Sequence, residues 1–472
     1  MADKILPLYE KVTILDIASE GKCVAKIDDY VIFVDKVVPG DVVDIQIFKK
    51  KKSFAEGKAV HFHELSPQRA EVFCSHFHTC GGCKWQNLAY TSQLAFKEKT
   101  VKDNLERIAK VPLSAISPIV GSDSIQFYRN KMDYTFSNKR WLTKEEVASD
   151  LKIEEPALGF HVPKRFDKII EIEKCYLQDD RANDIRNETA KFTKANGYDY
   201  YDIRQNTGLM RNLIIRNTST NEWMVIVVFA ADEQEKIAAL LSHLKNTFPF
   251  ITSLLYVINT KKNDTIFDLE ILTYHGADFI SESMQDLKGK AISFRISPKA
   301  FYQTNSAQAA KLYQLATQMA SLTGEEVVYD LYTGTGTIAN FIASSAKKVI
   351  GIEYVEDAIK DAVINSEING IDNTLFFAGD MKDVLTTEFI ATHGKPQVVI
   401  TDPPRAGMHE DVCKKLLFMR SEKIVYISCN PATQARDIAI LDEAYEVTKI
   451  QPVDMFPHTE HVENIVLLTL KK

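Results

Sequence analysis

Cysteine is scarce in this chain, seven in 472 residues, far too few for a disulfide scaffold. A general excess of positive charge is also missing: the formal net charge is −7, which argues at first against a nucleic-acid partner. No stretch approaches the roughly 18 uninterrupted apolar residues of a membrane span. The start, Met1-Ala-Asp-Lys-Ile-Leu-Pro-Leu-Tyr9, lacks the apolar core of a signal peptide. Internal repeats and low-complexity tracts are absent. These absences predict a soluble, cytoplasmic protein with no membrane partner, and a monomer is expected. What is there is ordinary globular composition, 45% hydrophobic and 26% charged, in a chain long enough for roughly two to four domains.

The charge is unevenly spread. Lys+Arg minus Asp+Glu gives +2 for residues 1–120, 0 for 121–320 and −9 for 321–472. The acidic excess therefore lies in the last third, while the front carries the run Lys49-Lys50-Lys51-Lys52. Such a run reads either as a solvated loop or as a phosphate contact, because binding follows the local field rather than the total. Three of the cysteines crowd together, Cys74, Cys80 and Cys83, with Cys175 following and Cys23, Cys413 and Cys429 scattered. Clustered thiols in an intracellular chain have the look of metal ligands.

Residues 5–62 read as five short strands, Val12–Ile17, Val24–Ile27, Val31–Val34, Val42–Phe48 and Ala59–His63, separated by turn signals such as Pro39-Gly40-Asp41. That density suggests a small barrel of the oligonucleotide-binding type, with a generic β-domain as the alternative. Residues 91–110 carry a helical pattern through Leu94, Val101, Leu105 and Ile108. A mixed, strand-rich region follows over 121–300, including Asn212–Arg216, Trp223–Phe229 and Ser253–Ile258, with a Lys/Glu-rich surface insertion at 139–155. From residue 325 apolar strands recur: Val327–Leu331, Val349–Ile352, Leu375–Phe377, Val398–Thr401 and Ile424–Ser428. Helix-compatible segments lie between them, the pattern of a parallel α/β sheet buried on both faces. Tyr445–Ile450 and Ile465–Leu470 are candidates for an antiparallel edge. The expected division is 1–63, 64–300 and 301–472, with helix 91–110 packing on the last domain.

Asp330-Leu-Tyr332-Thr333-Gly334-Thr-Gly336-Thr337 follows the first of these strands, and Glu353 ends the next, 23 residues after Asp330. The two glycines permit a tight turn and close backbone approach, and a carboxylate at Glu353 can take both ribose hydroxyls of a nucleoside. The third glycine of the dinucleotide fingerprint is missing, which disfavours a pyrophosphate ligand. S-adenosylmethionine, with a ribose and an adenine but no phosphate, fits. Asp380, after the third strand, can meet the adenine edge or be a plain surface aspartate.

Asp402-Pro403-Pro404-Arg405-Ala406-Gly407 then places a rigid turn at the sheet edge where α/β ligands bind. Ser428-Cys429-Asn430-Pro431-Ala432-Thr433 places a lone thiol at the same edge, and His458-Thr-Glu-His461-Val-Glu463-Asn464 supplies a carboxylate. A buried inert cysteine is the bland reading of Cys429. Thiol, carboxylate and methyl donor together suit methylation of uracil C5. That carbon becomes nucleophilic when a thiolate adds at C6, and a base must then remove the C5 proton. Cys429 is the candidate nucleophile and Glu463 the candidate base, with Asp402 holding the uracil or the loop. A base within folded RNA would have to be extruded.

With these motifs assembled, the chain resembles the RNA uracil-C5 methyltransferases over its whole length, most closely the bacterial 23S ribosomal RNA branch. The resemblance rests on Phe301-Tyr-Gln303-Thr-Asn305, Asp330–Gly336, Asp402–Arg405, Ser428–Thr433 and His461-Val-Glu463 in that order. It implies a Rossmann-like methyltransferase domain, an N-terminal TRAM β-barrel that binds RNA, and a central mixed α+β iron–sulfur domain. It also implies that Gln303, Tyr332, Glu353 and Asp402 bind S-adenosylmethionine, with Cys429 as nucleophile and Glu463 as base. Thr333 stands where many relatives carry a cysteine. Tyr128-Arg129-Asn130-Lys131 resembles a family segment near the RNA, with no role assigned.

The set Cys74-x5-Cys80-x2-Cys83…Cys175 resembles the family's [4Fe-4S] ligands, although four thiolates can also hold structural zinc. The radical methylthiotransferases also join a TRAM domain to a cluster, but they need a C-x3-C-x2-C triad. An amino-group methyltransferase would want Tyr or Phe where Arg405 stands. A non-catalytic RNA-binding or assembly factor is disfavoured by the presence of both Cys429 and Glu463. Since tRNA enzymes of the family typically lack the TRAM domain and cluster, ribosomal RNA is the expected substrate and tRNA the runner-up.

Overall fold

A computed structural model describes residues 6–18, 21–149 and 155–472. The first five residues, where a signal peptide was sought, and part of the 139–155 run lie outside the described residues. Among the described residues no helix is long and apolar enough to cross a membrane.

The N-terminal unit has six strands, Leu8–Thr13, Asp16–Ile17, Cys23–Ile27, Tyr30–Asp35, Val42–Lys50 and Phe54–Glu64. Alternation decides their faces: along Val42–Lys50, Val43, Ile45 and Ile47 point into a core shared with Ile14, Ala25, Ile32 and Val34. The stretch expected as one strand, Val12–Ile17, divides in two. Leu8–Thr13 pairs with Val42–Lys50 at one margin of the sheet, and Asp16–Ile17 pairs with Cys23–Ile27 at the other. Ile14 N donates to Asp41 O and Leu15 N to Val24 O as the chain crosses between them. One continuous chain thus joins the two margins, which curls the sheet around its core.

The central region is built on a seven-stranded sheet. Lys131–Ser137, Met210–Asn217, Trp223–Phe229 and Ser253–Ile258 are its middle strands, and helices Asp180–Ala195 and Gln234–Thr247 pack with it around a core that includes Tyr134, Leu213, Val225 and Leu240. Lys131–Ser137 and Ala157–His161 are antiparallel neighbours, so the charged run 139–155 is the connection of a hairpin. Its ends are tied by ion pairs from Arg140 to Glu146 and Glu155.

The C-terminal sheet has the order 374–378, 348–353, 327–331, 398–401, 423–428, 463–470, 445–453. All five expected parallel strands are present. The last two strands form the expected antiparallel margin of the sheet, with Tyr445–Val453 outermost. Glu463–Leu470 is antiparallel but is inserted between Lys423–Ser428 and Tyr445–Val453, and Asn464 to Leu468 are buried. An interior place explains that apolar run better than an edge would. Nor is Tyr445–Val453 left bare, since Ile116 and Val120 bridge to Ile450 and Val453 in parallel.

Helix Tyr90–Asn104, continued by a wider turn Leu105–Ala109, joins this domain. Val101 and Leu105 share a core with Tyr426, Ile438 and Val466. Lys97, fully buried, pairs with Asp454 at 2.5 Å and donates to Phe456 O at 3.0 Å. No break in the core marks residue 300: Met224, Ile226 and Leu255 of the central sheet lie in one cluster with Phe294, Leu312 and Val328.

Candidate functional site

The strand order reverses direction at Val327–Leu331, and the crevice beyond the carboxyl ends of its neighbours is where an open α/β sheet binds ligands. The turn leaving this strand begins at Tyr332, whose φ of +62° is uncommon for a residue with a side chain. Gly334 and Gly336 follow at +56° and +72°. A Cβ on Gly336 would lie 2.9 Å from Ala362 Cβ and 3.0 Å from Phe376, so this glycine is needed for close packing as well as for its backbone angle. Thr333 Oγ1 and Ala339 N both donate to Asp330 Oδ2, leaving Asp330 Oδ1 buried without a partner. Burial raises this carboxyl to about 7, against the hydrogen bond from Thr333 and assisted by Asp402.

Glu353 is held by two backbone donors, Gly334 N at 3.2 Å and Val355 N at 3.0 Å. Its carboxylate is therefore fixed in the crevice while remaining half-buried. Gln303 is buried, and no group among the described residues bonds its side-chain amide, while its carbonyl accepts from Asn130 Nδ2 at 3.0 Å. Asp380 caps the short helix Met381–Val384 and pairs with Lys382 at 3.3 Å. It lies near enough to Tyr332 to help raise that phenol, after burial and Cys413. A fixed carboxylate and a buried orphan oxygen at a glycine turn suit a polar, uncharged-backbone ligand such as a nucleoside.

The neighbouring loops are bonded to one another. Asn430 Nδ2 and Thr433 Oγ1 both donate to Arg405 O, at 3.0 and 3.2 Å, and Arg436 Nη2 donates to the carbonyls of Ala406 and Met408, both at 3.0 Å. Asn430 also caps helix Pro431–Leu441 through Ala432 N. Cys429 is thereby held at a fixed strand-to-helix turn, half-buried rather than sealed in core. Register brings its neighbour: Ser428 pairs with Asn464 at the end of the ladder, and Cys429 and Glu463 are the next residues on the two chains, close enough for the carboxyl to act on the thiol. Glu463 is itself fixed on the other side by Val453.

The electrostatics are those of a crowded acidic site with one cation. Burial and then the charge of Asp402 push Glu463 up to about 8, against the pull of Arg405. Burial pushes Asp402 to about 7. Burial, then Glu463 and Asp402, raise the Cys429 thiol to about 11, again opposed by Arg405. The Arg405 guanidinium bonds His461 Nδ1 at 2.8 Å, and burial, with Arg405 adding to it and Glu460 opposing, lowers the pKa of that ring. Two participants escaped the sequence reading. Arg405 was singled out in the sequence only against an amino-group methyltransferase, not as the cation facing Cys429 and Glu463. Tyr313, fully buried on helix Ser306–Ala320, has its phenol raised by burial and then by Asp402, Asp330 and Glu463; nothing in its helical spacing distinguishes it from core.

Cys74, Cys80, Cys83 and Cys175 line a single cavity of about 950 Å³. Burial raises Cys80 to about 11 and Cys83 to about 12, with each of these thiols also acted on by Cys74 and Cys175. Among the described residues no group of three or more His, Cys, Asp or Glu side chains is drawn together closely enough to hold one metal ion. Cys23 and Cys413 are buried elsewhere.

Comparison with known proteins agrees with this geometry. Residues 218–471 match the family model of tRNA (Uracil-5-)-methyltransferase, and residues 9–60 match the TRAM domain. An uncharacterized RNA methyltransferase of Bacteroides thetaiotaomicron is 57% identical over 96% of this chain and all of its own length. One from Porphyromonas gingivalis is 54% identical over 96% of this chain and 98% of its own. Among solved structures, the Pyrococcus abyssi tRNA (uracil-54, C5)-methyltransferase in complex with S-adenosyl-L-homocysteine is similar with a TM-score of 0.72 and 28% identity. That match covers 97% of this chain and 100% of that one. The chain belongs to the tRNA (uracil-5-)-methyltransferase family, S-adenosylmethionine-dependent RNA methyltransferases, and carries a TRAM domain at its front.

Proposed function

We propose that this enzyme methylates C5 of a uridine in RNA through a covalent Cys429 adduct, with Glu463 as the base. The observation that carries the reading is the meeting of Cys429, Glu463 and Asp402 at one end of the sheet, beside the Asp330–Gly336 turn. Gln303, Tyr332, Gly334, Gly336, Glu353, Asp380 and Asp402 would hold S-adenosylmethionine, which supplies an electrophilic methyl group when bound. Cys429 Sγ bonds to uracil C6, and the C5=C6 electron pair moves to C5 and O4, making C5 a carbon nucleophile. Once C5 is methylated, Glu463 takes the C5 proton, the C5=C6 bond re-forms and the sulfur leaves. A base raised to about 8 is matched to a proton transfer near neutral pH. Arg405 is the cation that favours the thiolate over the thiol.

For the RNA target, 23S ribosomal RNA follows from the motif resemblance, and transfer RNA is a second reading favoured by a specific observation. The Pyrococcus abyssi tRNA enzyme shares 97% of this chain's length in its fold, so the full-length architecture by itself does not favour ribosomal RNA. Mass-spectrometric mapping of 5-methyluridine in ribosomal and transfer RNA, from cells with and without the gene, tests both. Loss of one ribosomal uridine modification is expected; loss in tRNA alone would move the assignment, and loss in neither would refute the activity.

Cys74, Cys80, Cys83 and Cys175 are proposed to ligate a [4Fe-4S] cluster. Four thiols around a shared cavity support this reading, since a cluster binds each thiolate at a separate iron. Iron content and visible absorption of anaerobically purified protein test this, and stoichiometric zinc without iron would refute it.

A further inference from the structure

The loop that ends at the proposed base is buried along most of its length. Residues 454–462 join Tyr445–Val453 to Glu463–Leu470, two strands whose pairing begins at Val453 with Glu463. Asp454, Met455, Pro457, His458, Thr459 and Val462 are buried, whereas connecting loops ordinarily run over the surface. Carbonyls in such a loop must find donors within the protein. The donors come from distant segments. Gln308 Nε2 bonds Asp454 O and Asn305 Nδ2 bonds Met455 O, both at 2.9 Å. Lys97 Nζ then bonds Phe456 O, and the Tyr128 hydroxyl bonds Pro457 O, both at 3.0 Å.

Asn305 and Gln308 differ from the other donors in where they sit. Helix Ser306–Ala320 shares a core, through Leu312 and Ala316, with Val425, Ile427, Ile465 and Leu467 of the strands that lead to Cys429 and begin at Glu463. Asn305 is the N-cap of this helix, its Oδ1 accepting from Gln308 N at 3.2 Å. Serine or aspartate would cap equally well, but an amide also has an N–H to give to the loop. Gln308 uses Nε2 twice, on Asp454 O and on Gly121 O at 2.9 Å. Gln303 stands two residues before Asn305, so this short stretch meets both the proposed cofactor site and the loop of the proposed base.

Asp402 and Arg405 act on the Glu463 carboxyl through their charge, so its aim depends on the backbone that carries it. Asp454 and Met455 directly follow Val453, the residue paired with Glu463. Fixing their carbonyls therefore fixes the strand end against which Glu463 is registered. Misplacing a catalytic group by about 1 Å can cost on the order of 100-fold in rate.

We propose that Asn305 and Gln308 are positioning residues for proton removal: by holding the carbonyls of Met455 and Asp454 they set Glu463 against the C5 proton. The proposal rests on the reading above in which Glu463 is the base, and adds the residues that aim it. In the full-length protein, Asn305→Ser keeps the helix cap and withdraws the donor from Met455 O. Gln308→Met, of similar length, withdraws both donors of that side chain and stands in should the first variant fold poorly. Each is mixed with total RNA from cells lacking the gene and methyl-tritiated S-adenosylmethionine, then quenched over time into denaturant. Label in a protein–RNA adduct reports sulfur addition and methyl transfer. Label in free RNA reports proton removal and departure of the sulfur. Release should slow about 10- to 100-fold, so that adduct accumulates. The rate at which label enters the adduct, and the affinity for S-adenosylhomocysteine, should stay at the parent's values. Combined with Glu463→Gln, Asn305→Ser should slow release no further, because the group it aims is gone.

A role confined to folding would slow both phases together or lower only the fraction of protein labelled, and either result would overturn the proposal. Release at the parent's rate in both variants would overturn it too. Slower entry of label into the adduct in the Glu463→Gln background would place these residues behind the nucleophile or the cofactor, and so would also overturn it. If Glu463 is not the base, Glu463→Gln itself releases product at the parent's rate. If the positioning alone fails, Glu463→Gln holds the adduct while Asn305→Ser does not, so the two failures are separable.

Discussion

Cys429 and Glu463 are the residues next to Ser428 and Asn464, the last antiparallel pair of their ladder, and the Glu463 carboxyl is close enough to raise the thiol. On the proposed mechanism these two groups are the nucleophile and the base. Cys429→Ala should therefore abolish methyl transfer, by about 10³-fold or more for the loss of covalent catalysis. Binding of S-adenosylhomocysteine should stay within about threefold, because the thiol is not among the groups proposed to hold the cofactor. Calorimetry paired with a methyl-transfer assay checks both, and turnover near the parent level would dispose of the nucleophile.

Glu463→Gln preserves the size of the side chain and removes its ability to accept a proton. On the proposed mechanism the methylated adduct then forms but cannot collapse. A protein–RNA species stable in denaturing gels should accumulate in this variant and be absent from the double variant with Cys429→Ala. If no such species appears under conditions where the parent turns over, the proton is being removed elsewhere.

This pairing also marks where sequence reading stopped. The parallel strands were legible because Val327–Leu331 or Val398–Thr401 are apolar runs that only a sheet covered on both faces accommodates. Their carboxyl ends therefore named Asp330, Glu353, Asp402 and Cys429 in advance. The run Ile465–Leu470 was equally visible, but which neighbours it takes is a matter of topology and not of composition. Its insertion beside Lys423–Ser428 is what puts Glu463 next to the thiol. The buried pair of Lys97 and Asp454, 357 residues apart, and the phenol of Tyr313 carried no local signal at all.

The acidic crowd at the site predicts a pH dependence with a definite sign. On the proposed mechanism Glu463 must be ionised to accept the C5 proton, and its carboxyl is raised to about 8. The single-turnover rate at saturating RNA and cofactor should therefore climb from pH 6 through an inflection near 8, and keep rising above it because the Cys429 thiol, raised to about 11, must also ionise. In Asp402→Asn the burial of Glu463 remains but the neighbouring negative charge is gone, so the inflection should move to lower pH. A shift toward higher pH, or none, would mean that the two carboxyls do not share a field.

Helix Tyr90–Asn104 is fastened to the catalytic domain by a buried charge pair. Lys97→Met leaves the buried Asp454 carboxyl with only the Tyr90 hydroxyl, at 2.9 Å, among its side-chain donors. Breaking a buried pair from one side costs about 3–5 kcal/mol. Replacing both, Lys97→Met with Asp454→Leu, should recover part of that loss. Denaturant unfolding followed by tryptophan fluorescence would report it, since Trp85 lies under Lys97 at 5.9 Å. A single variant as stable as the parent would mean that the interior solvates Asp454 by other means.

The lysine run at the tip of the barrel hairpin is not four equivalent charges. Lys49 is paired with Glu56, while Lys50 and Lys51 stand over the rings of Tyr30 and Phe54 at 5.7 and 5.3 Å. Lys49 therefore has a partner to lose before it can meet a phosphate, whereas the other three keep their charge toward solvent. Replacing Lys49–Lys52 by serine should weaken RNA binding and flatten its salt dependence by about 2 in log–log slope, the share of roughly three phosphate contacts at about 0.7 each. Replacing Lys49 alone should change the slope little and instead loosen the hairpin. A slope unaltered by the fourfold change would return this run to an ordinary solvated turn and leave RNA recognition to other surfaces.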